Sequence, residues 1–330
     1  MQRVFIASVE QGYDDPIREA FEWLASGEGL TPSHRITIKP NLTFPTFRKG
    51  VMTNPEALEA LIRFLKNFTD RITICESDSG GYNRFSMNEV FRATGIDEMA
   101  RRYGVRIVNL SHEASHSIAV PGRRKRISVP LPTLILDETD LFITMPVPKI
   151  HMNTGVSLSL KNQWGVIQDP STRLRLHPMF NEVIYAVVKS LPRSISIVDG
   201  KYGLTRSGPL QGDVVELNWL LASDNMFAAD FVCCHLLGID HLGISHLRYA
   251  FKKESIHDWN DVAMNCDPAP FITAEKFYLR RAWMDYTGLL AFRSPLMAYV
   301  AYRSPFAGVL HWLLYRFREP FYDYESSGKA

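Results

Sequence analysis

The residues with the clearest chemical potential lie between Pro146 and His177, directly after an apolar segment typical of a β-strand. Within this stretch, Lys161 follows His151 at an interval of ten positions, and His177 follows Lys161 at an interval of sixteen. Residues that share one helical face lie three or four positions apart, so these side chains can meet only if the backbone folds back on itself. An amine and two imidazoles brought together could bind anions, transfer protons or hold a metal. The spacing therefore predicts a site built from loops.

Lys161 has two possible roles. Its flanking residues are apolar, so desolvation would lower its pKa and expose a nucleophilic amine that could form a Schiff base or a covalent cofactor link. A lysine that follows a strand also commonly binds phosphate or carboxylate as a point charge, and this clamp role stays open. The adjacent Asn162, and Gly165, suit a tight backbone approach to a ligand.

The histidines allow several interpretations. His151 and His177 titrate near neutrality and could carry protons or ligate a metal. His177 precedes Pro178 at the start of a helical pattern, so it could instead cap or pack that helix. Three later histidines lack the i, i+4 spacing of a helical metal site, and we expect a packing or surface role for them: His235, His241 and His246.

The elements that must position these residues alternate along the chain. Over the first 200 residues, β-rich runs such as RITIK and RITICES alternate with helical patterns such as NPEALEALIRFLKNF. Such alternation predicts a parallel sheet flanked by helices. We expect Asp14 or Asp15 to cap the first helix, Asn54 or Thr53 to cap the second, and Gly238 to end a later one.

These patterns predict an α/β protein, a parallel-sheet sandwich with flanking helices. We expect an α/β body over residues 1–285, with two α/β lobes (about 1–145 and 146–285) around a cleft. Residues 286–330 are expected to form an amphipathic, helical C-terminal arm. Because the chain has 330 residues and 46% hydrophobic content, it can bury a substantial core.

Polar residues follow the predicted strands, where open parallel sheets bind ligands. Asp78 is the acidic candidate to complement His151 in proton transfer, although its Ser-Gly loop could instead cradle phosphate through backbone N–H groups. Neither a Walker loop nor a G-x-G-x-x-G motif occurs, which disfavours nucleotide hydrolysis and ordinary NAD binding. The residues expected to line one cleft are Lys39, Asn41, Asp78, Lys149, His151, Lys161 and Asp199.

Five short motifs occur in a fixed order: K-P-N at 39–41, T-x-P at 53–55, S-L-K-N-x-x-G at 159–165, D-G at 199–200 and G-P-x-x-G at 208–212. In this order the chain resembles the domain-of-unknown-function 362 family over about two thirds of its length. Many relatives carry a ferredoxin-like cysteine cluster. The four cysteines of this chain never form C-x-x-C-x-x-C, so no iron–sulfur cluster is expected.

The His-x9-Lys-x15-His spacing is also similar, more distantly, to the lactate racemase family. That resemblance implies an acid/base role for His151, a link between Lys161 and a nickel-pincer nucleotide, and nickel ligation by His177. The family's glycine pair before the lysine is Ser159 and Leu160 here, and its second histidine is missing from the loop after the third strand. The resemblance implies an isomerase or redox-type enzyme for a small 2-hydroxy acid-like carboxylate, with that cofactor or another single metal ion.

A second class of function is a non-catalytic anion- or nucleotide-binding protein attached peripherally to a membrane. In that case Lys39, Lys149 and Lys161 would form an anion clamp for a small anionic ligand. Bound metal would distinguish the two classes, because only the enzyme is expected to hold it. In both, the substrate-binding or cofactor-binding residues are expected to be Lys39, Asn41, Lys149, Asn162 and Asp199.

Composition narrows the partners and the compartment. The formal charge of +2 gives no reason to expect nucleic acid, and the basic run at 123–126 is interpreted as a solvated turn of a hairpin. Four cysteines without scaffold spacing, and an N-terminus without the pattern of a secretory signal, predict a reducing cytoplasmic compartment.

The C-terminal region has a different character. Two segments, FRSPLMAYVA and YRSPFAGVLH, each contain a Ser-Pro pair suited to the start of a short helix. The longest charge-free run has 12 residues, whereas a bilayer span needs about 20. Arginines alternate with aromatic residues, a composition suited to a membrane surface. We expect residues 287–321 to meet either a membrane surface or a protein surface, such as that of a second copy in a homo-oligomer.

Overall fold

A mostly parallel sheet flanked by helices organises the chain, as seen in a computed structural model. The structure describes residues 1–25, 29–79, 85–122, 126–281, 286, 289–290, 292, 294–302, 304–314 and 316. The strands are β1 (Gln2–Ser8), β2 (Ile36–Pro40), β3 (Ile72–Glu76), β4 (Arg106–Asn109), β5 (Ser115–Pro121), β6 (Arg126–Pro132), β7 (Leu141–Met145), β8 (Lys149–His151), β9 (Gly155–Ser157), β10 (Ser194–Thr205), β11 (Asp213–Ser223) and β12 (Val262–Met264).

The helices lie between and after these strands. They are α1 (Asp14–Trp23), α2 (Pro55–Leu65), α3 (Met87–Ala93), α4 (Ile96–Tyr103), α5 (Thr133–Leu136), α6 (Ser159–Asn162), α7 (Pro170–Leu176), α8 (Phe180–Ser190), α9 (Met226–Leu236), α10 (Ser245–Glu254), α11 (Pro295–Tyr302) and α12 (Ala307–Leu314). Short 3₁₀ turns include Gln163–Val166 and His177–Met179, which border the candidate site.

Ten of these strands form one sheet in the order β12-β1-β11-β10-β7-β2-β3-β4, with β8 joined to β10 and β9 joined to β8. From β10 to β4 the neighbours on this path pair in parallel. Strand β11 is antiparallel to both β10 and β1. The expected α/β class is confirmed, with a mostly parallel sheet flanked by helices; β11 is antiparallel to β10 because the two strands connect directly.

Side chains on the two faces of the sheet enter different cores. In β7, Leu141 and Ile143 face a core that they share with α1 to α4, whereas Phe142 faces a core shared with α8, α9 and α10. This alternation is the period of two expected for a strand buried on both faces. The result is three layers, with helices on each face of the sheet.

The sheet combines both halves of the chain. Strand β1, from the start of the chain, lies between β11 and β12. The expected lobe boundary near residue 145 therefore falls within one continuous sheet. The expected hairpin is present as the antiparallel pair β5–β6, while three residues of the basic run, 123–125, lie outside the described residues.

Helix caps agree with the sequence at one position and differ at another. The Asn54 side chain accepts a hydrogen bond from the Glu56 amide at 3.0 Å, and Pro55 opens α2, as predicted. In α1 the N-cap is Tyr13, without a side-chain cap. Asp14 and Asp15 instead lie in its first turn, where their negative charges interact favourably with the positive end of the helix dipole.

The four-residue helix α6 depends on an outside anchor. A helix this short has little stability of its own. The fully buried carboxylate of Asp230, on α9, accepts hydrogen bonds from the Ser159 amide at 2.7 Å and the Leu160 amide at 3.0 Å. This anchor fixes the position of Lys161, the next residue along α6.

We expect Asp230 to make folding pH-dependent. Burial raises its pKa to about 7, although the hydrogen bonds from Ser159 and Leu160 act in the opposite direction. An unfolded aspartate titrates near pH 4, so the stabilisation linked to this group is complete below about pH 4 and is lost as pH rises through 7, by on the order of a few kcal/mol. The Asn side chain of the Asp230→Asn variant does not titrate, so the variant lacks this pH dependence.

Urea unfolding of the wild type and Asp230→Asn between about pH 4 and 8 measures this effect. The wild-type free energy of unfolding minus that of the variant should fall as pH rises. A difference that stays constant over this range would contradict the prediction.

Candidate functional site

A buried ion pair lies where β2 and β3 end. Lys39 Nζ is 2.8 Å from Glu76 Oε2, and the two side chains are 1% and 5% exposed. Because β2 and β3 are parallel neighbours, their carboxyl ends meet at the same edge of the sheet. The Ser77 amide donates to the second oxygen, Glu76 Oε1, at 2.9 Å. Lys39 was expected to bind a ligand, but its charge is already matched by a protein carboxylate.

Gly165 leaves room for this ion pair. A Cβ atom at position 165 would lie 2.8 Å from Glu76 Oε1 and 2.9 Å from Lys39 Nζ, both shorter than ordinary contacts. The carbonyl of Gly165 also accepts a hydrogen bond from Ser77 Oγ at 2.6 Å. The close approach predicted at this glycine is therefore made by the protein's own Lys39–Glu76 pair.

Two further predicted site residues hold each other. The buried Lys149 ammonium donates to Asn41 Oδ1 and to the Val51 carbonyl. Burial lowers the pKa of Lys149 to about 7, and the positive charge of Lys161 adds to the shift. Lys149 is thus held by neutral acceptors, and it contributes positive charge to the interior whenever it is protonated.

Lys161 differs from both of these lysines. Its side chain is half-buried, and it makes no hydrogen bond or ion pair with any residue that the structure describes. Burial lowers its pKa to about 7, and the positive charges of Arg173 and Lys39 act in the same direction. The predicted effect of desolvation is present and is reinforced by neighbouring cations. Lys161 is the amine most available to a ligand in this part of the protein.

His151 is held as a neutral ring. Its Nδ1 atom accepts a hydrogen bond from the Asn153 amide at 3.2 Å, so the proton of the neutral imidazole lies on Nε2. Burial lowers its pKa well below the usual value, and Lys161 and His177 contribute. In this state His151 can donate a hydrogen bond from Nε2, and it can transfer a proton only after the ring has become protonated.

His177 lies among aromatic rings. Its centroid is 5.8 Å from that of Trp164, 5.4 Å from that of Phe180 and 4.6 Å from that of Phe292. Burial and the charge of Lys161 lower its pKa to about 4, so the ring is neutral at physiological pH. A polar pocket of about 220 Å³ adjoins it, lined by Asn153, Thr154, His177, Pro178, Phe180, Asn181, Glu182 and Ser245. A small ligand could reach the ring there.

His246 belongs to this region, although sequence spacing assigned it a packing or surface role. It is 1% exposed, and neither ring nitrogen has a hydrogen-bond partner among the described residues. Its ring packs edge-on against Phe180 at 5.3 Å, and burial and Lys161 lower its pKa to about 3. Its neighbours come from distant segments, which helical spacing of histidines does not reveal.

Asp78 has a structural environment that the sequence did not predict. Its Oδ1 atom accepts hydrogen bonds from the Met87 amide at 2.7 Å and from Asn109 Nδ2 at 2.9 Å, which ties the loop after β3 to the start of α3. Its backbone carbonyl accepts from Arg173. The structure describes no hydrogen bond or ion pair between Asp78 and His151. Residues 80–84 of the Ser-Gly loop lie outside the described residues.

Asp199 and Lys161 lie on different faces of the sheet. The buried Asp199 carboxylate accepts hydrogen bonds from Tyr13 Oη at 2.8 Å and from the Asn54 amide at 2.6 Å, on the face covered by α1 and α2. Lys161 belongs to α6, which is anchored to α9 on the other face. This differs from the expectation that one cleft contains both.

Asn162 and the cysteines complete the set of predicted residues. Asn162 Nδ2 donates to Thr144 Oγ1 at 2.8 Å, so its amide is used within the protein. Cys75, Cys233 and Cys234 are buried and Cys266 is exposed, all as free thiols. Across the described residues, no group of three or more His, Cys, Asp or Glu side chains is arranged to hold a metal ion. Metal ligation by His177 stays a prediction.

Comparison with known proteins identifies the family. The family model described as "Domain of unknown function (DUF362)" matches residues 36–235, which confirms the resemblance expected from the motifs. One curated relative, the thylakoid-associated protein sll1697 of Synechocystis sp., is 24% identical over 223 residues. The match covers 65% of this chain, and the chain spans 66% of the length of that relative.

Two solved structures show weaker likeness. A protein from Thermotoga maritima gives a TM-score of 0.46 at 14% identity, covering 69% of this chain and 59% of that one. The lactate racemase apoprotein from Thermoanaerobacterium thermosaccharolyticum gives 0.45 at 16% identity, covering 72% and 58%. Neither likeness informs the activity of this chain. No helix in the described ranges is both long and apolar enough to cross a membrane.

We expect Gly165→Ala to disturb the Lys39–Glu76 pair. The added methyl must displace at least one of two buried charged groups, at a cost of about 1–3 kcal/mol in the free energy of unfolding. Gly243→Ala is the matched control, because the nearest atom to its added Cβ is Asp240 Oδ2 at 3.4 Å. Urea unfolding measures both changes. Equal free energies of unfolding for the two variants would contradict a clash between the added methyl group at position 165 and the Lys39–Glu76 pair.

Proposed function

The chain belongs to the family described as Domain of unknown function (DUF362), and we propose that this member is an isomerase or redox-type enzyme acting on a small carboxylate-containing substrate. The observation that carries the proposal is the environment of Lys161. Glu76 pairs directly with Lys39, whereas Lys161 has no hydrogen-bonded or ion-paired carboxylate among the described residues and feels Glu76 only through space. Its half-buried amine is suited to an anionic group or a covalent link.

A bound anion would change the protonation of the whole site. Burial and, secondly, neighbouring positive charges lower the pKa values of Lys161, His151 and His177. A carboxylate placed beside Lys161 offsets this repulsion and raises all three pKa values. We propose two alternative roles for Lys161. Either its ammonium group binds the substrate carboxylate as an anion clamp, or its amine anchors a cofactor and the substrate carboxylate lies beside it. Once the ring is protonated beside the bound anion, with the Asn153 amide no longer donating to Nδ1, His151 gives the Nε2 proton to the substrate and takes it back as the acid/base residue.

The nickel-pincer nucleotide remains a proposed cofactor. Two residues fit it: Lys161 has an amine with a pKa of about 7 for a covalent link, and His177 has a neutral ring beside a pocket for ligation. Because no protein cluster of three metal ligands is found in the described segments, any metal beside His177 would need further donors from the cofactor. When bound, such a cofactor would supply a hydride acceptor for chemistry at the substrate carbon next to the carboxylate.

The second candidate is a non-catalytic anion-binding protein. It is favoured by the concentration of Lys39, Lys149, Lys161 and Arg173, whose charges act on one another in the interior. The two candidates differ in the need for a nucleophilic amine. Lys161→Arg keeps a positive charge but removes the amine, so it should preserve anion binding and abolish covalent attachment.

The compartment is also a proposal. Four free cysteines suit a reducing, cytoplasmic location. The name of the Synechocystis relative describes that protein as thylakoid-associated, which supports peripheral attachment of this chain to a membrane. As the substrate or ligand of the site we propose a small anion, and no nucleic acid.

We expect the Lys161 amine to react at unusually low pH. With a pKa of about 7, half of the group is neutral and nucleophilic at neutrality. Pulse acetylation followed by peptide mass spectrometry should give a midpoint near pH 7 for Lys161. Lys201 is the internal control, since its hydrogen bond to Glu56 raises its pKa above the usual value. Labelling of both lysines only in the alkaline range would contradict this environment for Lys161.

We expect protein from its native host to interconvert the enantiomers of at least one small 2-hydroxy acid. Chiral chromatography measures conversion across a panel of such acids, while intact mass and metal analysis measure adducts at Lys161 and bound nickel. Removing an acid/base residue typically lowers rates about 10²–10⁴-fold, so His151→Asn should reduce conversion by about that factor. Absence of conversion, adduct and metal, with carboxylate binding retained in Lys161→Arg, would favour the anion-binding candidate.

A further inference from the structure

We propose that the segment 294–316, here called the docking arm, lies in the surface of an anionic lipid bilayer. This inference gives the peripheral attachment proposed above a defined surface and a defined partner. It does not depend on which chemistry Lys161 performs. The docking arm contains α11, α12 and their connection, with residues 303 and 315 outside the described set.

Exposed apolar side chains are concentrated in and just before the docking arm. Among the described residues, eleven large hydrophobic side chains from Tyr286 onward are prominently exposed, against six in all of the preceding chain. Leu296 and Phe306 are each 71% exposed. Isolated apolar residues are normal on a protein surface, but a contiguous patch marks an interaction site. The docking arm therefore needs a partner surface.

The geometry of α12 suits shallow insertion. Val309, Leu310, Trp312 and Leu313 are all exposed. At 100° per residue they span roughly half the circumference of the helix. Each helix has eight residues, a length of about 12 Å, which is far short of the roughly 30 Å hydrocarbon core. A helix that exposes apolar side chains over half its circumference, and is too short to cross the bilayer, can bury that exposed surface by lying along the interface.

Charge selects an anionic bilayer over a second copy of the chain. The sequence of the docking arm contains two arginines, Arg303 and Arg316, and neither Asp nor Glu. Two identical arms packed face to face would bring like charges together, because a two-fold interface uses the same surface twice. Anionic headgroups instead attract each arginine. The Arg316 guanidinium lies 4.6 Å from the centre of the Trp312 ring, a pairing of aromatic and basic groups that suits headgroup depth.

The experiment is flotation of the full chain with two kinds of vesicle, one of phosphatidylcholine alone and one containing about 30% phosphatidylglycerol to supply the negative surface. We expect the bound fraction to be at least tenfold higher on the anionic vesicles and to fall with salt. Val309→Glu places a carboxylate on the proposed apolar face and should reduce binding at least tenfold. Val309→Leu should bind like the wild type.

Leu242→Glu is the matched control, because Leu242 is 57% exposed and Val309 is 58% exposed, but Leu242 lies outside the docking arm. It should leave binding unchanged. Failure of the wild type to float, or equal loss in both Glu variants, would overturn the proposal. Dimerisation of the wild type in gel filtration that Val309→Glu abolishes, without vesicle binding, would show instead that a second copy covers the arm. The pH midpoint of Lys161 acetylation, measured on the same samples, tests the environment proposed for the site. A failure of membrane binding with an unchanged midpoint would therefore count against the docking arm alone.

Discussion

The Lys39–Glu76 ion pair is the constraint on which the site depends. Two charges with 1% and 5% exposed side chains are tolerated only as a close pair with further hydrogen bonds. The pair explains why position 165 must lack a side chain and why the Ser77 amide points at Glu76. Because Glu76 is bonded to Lys39, it acts on Lys161 only through space. The Lys161 amine is left without a hydrogen-bonded partner among the described residues.

The electrostatics of the site follow from this unequal pairing. Burial and neighbouring cations disfavour protonation of Lys149 and Lys161, and the same charges keep His151 and His177 neutral. Such an interior resists gaining further positive charge and favours an anion. The function proposed here therefore depends on an interior with more positive than negative groups. No single catalytic residue defines it.

The sequence predicted local features well. The α/β class, the cap at Asn54 and the placement of Lys39 at the end of a strand all depend on short-range patterns. The sequence did not predict that Tyr13 would bond the carboxylate of Asp199, 186 residues away, or that His246 would lie near the predicted histidines. Each of these arrangements depends on which helix covers which face of the sheet, and periodicity within a segment carries no information about that choice.

The docking arm and the site are physically connected. The ring of Phe292, just before the arm, lies 4.6 Å from that of His177, and α11 packs against α7. Helix α7 carries Arg173, the largest charge effect on Lys161. An arm held in a bilayer surface would therefore restrain two neighbours of the site, one aromatic and one cationic. Since side chains in a packed interior move together, a displacement of the arm would be transmitted through α7 and His177 to the surroundings of Lys161.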